Sequence, residues 1–212
     1  MYLKRNKIPK IWPLKRKGTK YLIRPSHGLK KAVPIVVALR NMIKLASRRK
    51  EVEKILNDGK VKINGKIVRE GKLPLLLFDN LNLEKKSFKL VIKNKKFAFK
   101  EVASTEAEKK IAKVTGKKLL RGRKIQINLS DGRNYITKEK IKTGDSVIIN
   151  LKENKISEIL PFKKGCKIMF ISGKHIGEEG SVEEIDEKKK IITLKIEEGK
   201  INGKQDSLIV IK

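Results

Sequence analysis

The sequence predicts an α+β chain of several small domains, and three observations predict it. The chain has 212 residues with 39% hydrophobic and only 5% aromatic side chains, enough for several small cores and thin for one large core. Its apolar periodicity changes once, from helical spacing to strand alternation punctuated by glycine turns. Its formal charge is +31, and that excess is crowded at the front. The expected order is a basic extended arm (1–32), a helical-plus-hairpin domain (33–83), a central antiparallel β domain (84–160) and a second small β domain (161–212).

The arm lacks the periodicity of a domain. Pro9, Pro13 and Pro25 and two glycines are scattered among Lys and Arg, with Trp12 and Tyr21 interrupting the charge. Such a segment is expected to be disordered alone and to order against a polyanion, its aromatics stacking on bases or packing on the body.

From Ala32 the pattern is helical. Pro34 suits a first-turn position, and Ile35, Leu39, Met42 or Ile43, and Ala46 recur at helical spacing. A second helix is expected with Ser47 as N-cap, Val52, Ile55 and Leu56 as its buried stripe, and Gly59 at its end. Val61-Lys62-Ile63 then alternates, Asn64-Gly65 supplies the positive-φ pair of a tight hairpin, and Ile67-Val68 returns.

Residues 84–160 read as strands, with a capping-box spacing at Thr105 and Glu108 and a strand-or-helix ambiguity after Lys110. Lys124 to Leu129 alternates cleanly, Ser130 to Arg133 turns, Tyr135-Ile136 returns, and Lys142 to Asp145 turns again before Val147 to Ile149. Ile156 to Leu160 closes the block. In the last quarter, Lys167–Ile171, Ser181–Ile185, Ile191–Ile196 and Ser207–Ile211 are strand candidates.

The charge gradient narrows the function. Residues 1–50 hold 16 basic side chains and no acidic one, whereas residues 161–212 hold 11 and 9. A defined nucleic-acid face with an anchoring arm produces such a gradient; nonspecific stickiness does not require one. Lysines outnumber arginines by 44 to 10, so the few arginines are the better candidates for forked or stacked contacts. Arg48, Arg49 and Lys50 break a local rule, since cations at a helix N-terminus are disfavoured by about 0.3–1 kcal/mol each. A phosphate bridging them and the first-turn amides would reverse that cost. The bland alternative is a solvated cluster softened by Glu51 and Glu53.

Composition also excludes classes of function. The longest apolar runs, Ile35 to Leu39 and Leu75 to Phe78, fall far short of the ~20 residues of a membrane span. The basic N-terminus is not followed by an apolar stretch of signal-peptide length. Cys166 is the single cysteine, and with only His27 and His175 beside it neither a disulfide nor a structural zinc site is expected. A reducing, cytoplasmic location fits. Asp131 and Asp145 sit in Gly-flanked turns, where Asp bonds its own backbone, so neither is expected to be catalytic. No Gly-x-x-x-x-Gly-Lys phosphate loop occurs.

The run from Arg40 through Ala46-Ser47-Arg48-Arg49-Lys50 to Asn64-Gly65-Lys66 resembles the S-four-type RNA-binding domain of ribosomal proteins, pseudouridine synthases and some tRNA synthetases. Ile171 to Val182, with Ser172-Gly173-Lys174-His175-Ile176-Gly177, resembles the KOW motif, which implies an SH3-like barrel over 161–212. Here Glu178 and Glu179 stand where basic residues are common, which favours protein contact or scaffolding over phosphate binding at that loop. The whole order, with Lys124–Asn134 between the two, is similar to the archaeal and eukaryotic e-type S-four family of small-subunit ribosomal proteins. A compact chain with short ends implies an archaeal-type member. The resemblance implies an rRNA-binding structural component with neighbouring ribosomal proteins as partners. It also implies no catalysis, no cofactor or metal, no membrane and no homo-oligomer.

The residues expected to contact RNA are Lys4, Arg5, Lys7, Lys10, Trp12, Lys15, Arg16, Lys17, Lys20 and Arg24 of the arm. Arg40, Lys44, Arg48, Arg49, Lys50 and Lys60 join them from the helical domain, and Arg121 and Arg123 from the central block. A free RNA-binding regulator or chaperone is the alternative; it would fold fully alone and need far less surplus charge.

Overall fold

The structure, a computed structural model, describes residues 2–84, 86–186, 191–196 and 199–212; the side chains of Arg123 and Ile191 lie outside that set. The chain forms two compact units, Met1–Glu108 and Lys109–Lys212.

The N-terminal unit begins with a correction. Residues 2–32 are not an extended arm: β1 (Tyr2–Lys4) pairs antiparallel with β2 (Tyr21–Ile23). Leu3, Trp12, Leu22 and Ile23 are buried. These apolar residues are too widely spaced for a periodic signal, yet they suffice to fold the lobe onto its neighbours. Strand β3 (Ala32–Pro34) pairs with β6 (Pro74–Leu76).

The first helix is shorter than expected. Helix α1 (Ile35–Val37) widens into a π turn over Ala38–Met42, where Ile43 N–H donates to the Ala38 carbonyl at 2.9 Å. Three consecutive β-branched residues at its start are weak helix formers, and Lys44 at φ 61° ends it before Ala46. Ile35, Leu39, Val52, Leu56, Leu75 and Leu81 are fully buried and form the core of the unit.

Helix α2 (Arg49–Asn57) buries Val52 and Leu56 of the expected stripe, while Ile55 is only half-buried. Its N-cap is Arg48 rather than Ser47. Strands β4 (Val61–Ile63) and β5 (Lys66–Ile67) make the expected hairpin, with Asn64 at φ 50° and Gly65 at φ 81°.

The boundary expected after Leu83 falls inside a sheet. Strands β7 (Asn80–Leu83), β8 (Lys86–Lys93) and β9 (Lys96–Val102) continue it in the order β5-β4-β7-β8-β9. Asn94 and Lys95, both at positive φ, turn β8 into β9 without a glycine. Residues 84–102 therefore belong to the first unit. The capping-box spacing at Thr105 gives only a 3-10 turn, Glu106–Glu108.

In the second unit the ambiguous segment is a strand, β10 (Lys109–Leu119). With β11 (Ile125–Leu129), β12 (Asn134–Thr137), β13 (Ser146–Asn150) and β14 (Lys155–Leu160) it forms an antiparallel sheet in the order β12-β11-β10-β13-β14. Ala112, Val114, Ile127, Leu129, Val147 and Ile149 are its core. A second sheet has the order β18-β17-β16-β15-β19, from β15 (Lys167–Phe170), β16 (Glu179–Asp186), β17 (Ile191–Ile196), β18 (Gly199–Lys204) and β19 (Leu208–Val210). Strand β18 has no counterpart among the expected strands. Its Gly203 lies where a Cβ would come within 2.9 Å of the Phe170 ring, so packing rather than alternation selects the residue.

Candidate nucleic-acid interface

The basic side chains divide by what they touch. Lys4, Lys7, Lys10, Lys15, Arg16, Lys17, Lys20 and Arg24 are exposed around the N-terminal lobe. Lys20 lies over the Tyr21 ring, 5.5 Å from its centroid. Arg5 is spent inside the lobe. Its Nε donates to the Thr19 carbonyl and its Nη1 to the Lys15 carbonyl, both at 2.6 Å, and Nη2 donates to Thr19 Oγ1 at 3.0 Å. A guanidinium with donors on three acceptors is holding the 15–19 loop, and it leaves the expected contact set.

Trp12 leaves it too. The ring is 2% exposed, and Nε1 donates to the Ala32 carbonyl at 2.9 Å. Of the two roles expected for the aromatic, packing on the body is the one observed.

At the start of α2 the chain supplies its own anion. The Glu51 carboxylate accepts from the Ser47 N–H at 2.8 Å and the Arg48 N–H at 3.1 Å. Those amide bonds, from Arg48 first and then Ser47, hold the Glu51 carboxyl below its usual range. Glu51 thereby satisfies the amides of the N-cap and of the residue before it, ahead of the first helical turn. Arg49 Nε donates to Glu53 Oε1 at 2.7 Å, and that bond, followed by the neighbouring Tyr2, raises its pKa. Arg48 and Lys50 are exposed on the same turn. Lys44 is exposed, and Arg40 is half-buried with Nε donating to Asn41 Oδ1 at 3.1 Å.

Lys60 faces acids: its Nζ is 3.6 Å from Glu84 and 4.0 Å from Asp58. It stands on the rim of an apolar cleft of about 1000 Å³ lined by Met42, Ile43, Leu45, Ile55, Phe88 and Phe99, among others.

In the second unit Arg121 is exposed at the turn between β10 and β11, while the side chain of Arg123 lies outside the described residues. Sequence reasoning missed what lies beneath. Lys110 and Asp131 form a buried ion pair at 2.7 Å with side chains 2% and 4% exposed, and the Arg133 N–H donates to Asp131 Oδ1 at 3.1 Å. Asp131 is thus a turn residue and a buried counter-ion together. Asp145 closes its own turn by accepting from the Lys142 N–H and also accepts from the Phe162 N–H, each at 2.9 Å. In the glycine-rich loop, Glu178 bonds His175 Nδ1 at 2.7 Å and Glu179 pairs with Lys167 at 2.9 Å, so both carboxylates are used within the fold. Burial pushes the Cys166 thiol up, away from the reactive thiolate. Among the described residues no helix is long and apolar enough to cross a membrane.

A helix pair and hairpin bearing exposed cations, followed by antiparallel β sheets, defines a class of RNA-binding proteins built on an S4 domain. The S4 domain model matches residues 33–80, and the model of ribosomal family S4e matches residues 84–156. Among relatives, the small ribosomal subunit protein eS4 of Methanocella arvoryzae is 37% identical over 189 residues, covering 87% of this chain and 80% of the relative. That of Nanoarchaeum equitans is 34% identical over 195 residues, covering 87% and 83%. The crystal structure of the 30S ribosomal protein S4e from Thermoplasma acidophilum is similar at TM-score 0.75 and 29% identity, over 85% of this chain and 95% of that one. The chain belongs to the eS4 family.

Proposed function

We propose that this chain is a structural constituent of the small ribosomal subunit that binds and braces folded rRNA, in the cytoplasm, beside neighbouring ribosomal proteins, and carries out no reaction. The observation that carries it is the absence of any acidic residue in the first 50 positions, which hold 16 basic ones, on a chain containing an S4 domain. The contact set is Lys4, Lys7, Lys10, Lys15, Arg16, Lys17, Lys20 and Arg24 on the lobe, Arg40, Lys44, Arg48 and Lys50 around the helices, and Arg121 in the second unit. Arg49 and Lys60 contribute less, because Glu53 and Glu84 already face them. Affinity comes from phosphate neutralisation, each engaged phosphate releasing counter-ions. We further read the sheet β15–β19 as the SH3-like KOW unit of the family, acting as a brace. Its glycine-rich loop is supported in that role by Glu178 and Glu179, which are bonded within the loop and sheet.

The test is sedimentation. Expressed in its own host, the protein should travel with small subunits through a moderate-salt wash. A profile confined to the soluble fraction would instead identify a free RNA-binding regulator.

A further inference from the structure

We infer that the solvent face of strands β10, β11 and β12 is a second RNA contact, which takes ribose hydroxyls and base edges on a ladder of amides; it rests on the rRNA-binding reading above.

The register builds the face. Ile127 and Leu129 are buried, so Gln126 and Asn128, alternating with them, project to the other side of the sheet. Lys118 and Ile136 flank Gln126 on the neighbouring strands, and Gly116 and Asn134 flank Asn128. One row across the sheet therefore reads Lys118, Gln126, Ile136, and the next reads Gly116, Asn128, Asn134. Lys118 and Asn134 are exposed, and Ile136 is 63% exposed although it is a large aliphatic residue. Gly116 adds no side chain above Asn128, whose Nδ2 would be 3.6 Å from a Cβ placed there.

The chemistry of the face selects its ligand. From Lys109 to Ser130 the sequence contains eight basic residues and no acidic one. Lys110 and Lys113 are buried and bonded, to Asp131 and to the Gln205 carbonyl, whereas Lys118, Arg121 and Lys124 are exposed; Lys117 is exposed as well but stands opposite Ile127, on the other face. The flanking carboxylates are Asp131, buried against Lys110, and Glu139, beyond the end of β12. A surface with that charge attracts a polyanion. The Gln126 amide donates to Asn128 Oδ1 at 3.2 Å, which uses one of its two N–H donors and leaves further amide donors and acceptors on both side chains. Amides match ribose hydroxyls and base edges, which present both a donor and an acceptor, better than they match phosphates, which only accept. Ile136 supplies an apolar platform beside them. A strand of folded RNA, its phosphates toward Lys118, Arg121 and Lys124 and its sugars over the amides, satisfies every part of the face.

The test uses the full chain and transcribed small-subunit rRNA in filter binding. Gln126→Val with Asn134→Val keeps strand propensity and removes two amides. It should weaken binding about tenfold while the slope of log K against log salt stays unchanged, because a lost amide contact releases no counter-ion. Replacing Lys118, Arg121 and Lys124 with Gln should instead lower that slope by about 2–3. Wild-type affinity and slope in both variants would overturn the assignment, and failure of the wild-type chain to bind rRNA would instead overturn the reading beneath it. Lysine acylation of the wild-type complex checks the face without any variant: Lys118 and Lys124 should be protected by RNA, and equal labelling with and without RNA would count against it.

Discussion

The two units spend their cations in different proportions. In the N-terminal unit the first 50 residues include no acidic one, and most of their ammonium and guanidinium groups stand exposed. In the C-terminal unit several cations are spent inside the fold or on a carboxylate, while Lys117, Lys118, Arg121 and Lys124 stand exposed. Lys110 is buried against Asp131, Lys113 bonds the Gln205 carbonyl, Lys167 faces Glu179, Lys200 faces Glu183 and Lys212 faces Glu158. The difference teaches that net charge locates a polyanion site only after the cations spent inside the fold are subtracted. Arg5 and Arg49 show the same subtraction operating within the basic unit.

The sharpest way to break this contrast is to remove a matched charge. Asp131→Ala takes the carboxylate from a buried ammonium and should cost about 3–5 kcal/mol of stability. Urea unfolding reads it, and a loss under about 1 kcal/mol would show that the pair is not functionally buried. Trp12→Phe comes next. It keeps an aromatic but leaves the Ala32 carbonyl without its indole donor, costing about 1–3 kcal/mol. Faster proteolysis within residues 2–32 should accompany it; an unchanged protein with weaker RNA affinity would return the indole to the RNA-contact set.

The exposed cations should behave in the reverse sense. Arg48→Ala with Lys50→Ala should leave stability within about 0.5 kcal/mol and lower the salt slope of rRNA binding by about 1.5–2. Unchanged affinity and slope would strike both from the contact set. The smallest effect belongs to Glu51→Gln. The folded-state pKa of Glu51 is depressed by the Arg48 and Ser47 amides, so its contribution is present above the ordinary carboxylate pKa and fades as pH falls through the depressed value. The melting temperatures of wild type and variant should differ slightly at neutral pH and converge in acid. A difference that persists in acid would assign the effect to something other than charge.

Much of this was legible in the sequence where local chemistry and fold agree. Val52 and Leu56 on one stripe, Asn64-Gly65 at a two-residue turn, and Ile125 to Leu129 alternating each need only their neighbours to specify their state. What stayed hidden depends on distant partners. Arg5 looks like any arm cation until the Lys15 and Thr19 carbonyls are brought to it. Lys110 looks solvated until the β10–β11 pairing brings up Asp131, 21 positions away. That strands β8 and β9 continue the hairpin's sheet was hidden because Asn94-Lys95 turns one into the other with no glycine to announce it. Strand β18 was invisible because Gly199-Lys200-Ile201-Asn202-Gly203 lacks an apolar alternation and is set by the Phe170 ring instead. The basic cluster opening α2 did stand out, but its Glu51 cap shows only in the folded chain.

The most direct measurement is the salt dependence of affinity between the purified full chain and transcribed small-subunit rRNA. With about 8 phosphates engaged by the exposed cations, log K should fall by about 6–7 for each tenfold rise in salt. A fall of less than about 2 would mean that at most two or three phosphates are neutralised, and the unmatched charge of the N-terminal unit would then have to serve some other purpose.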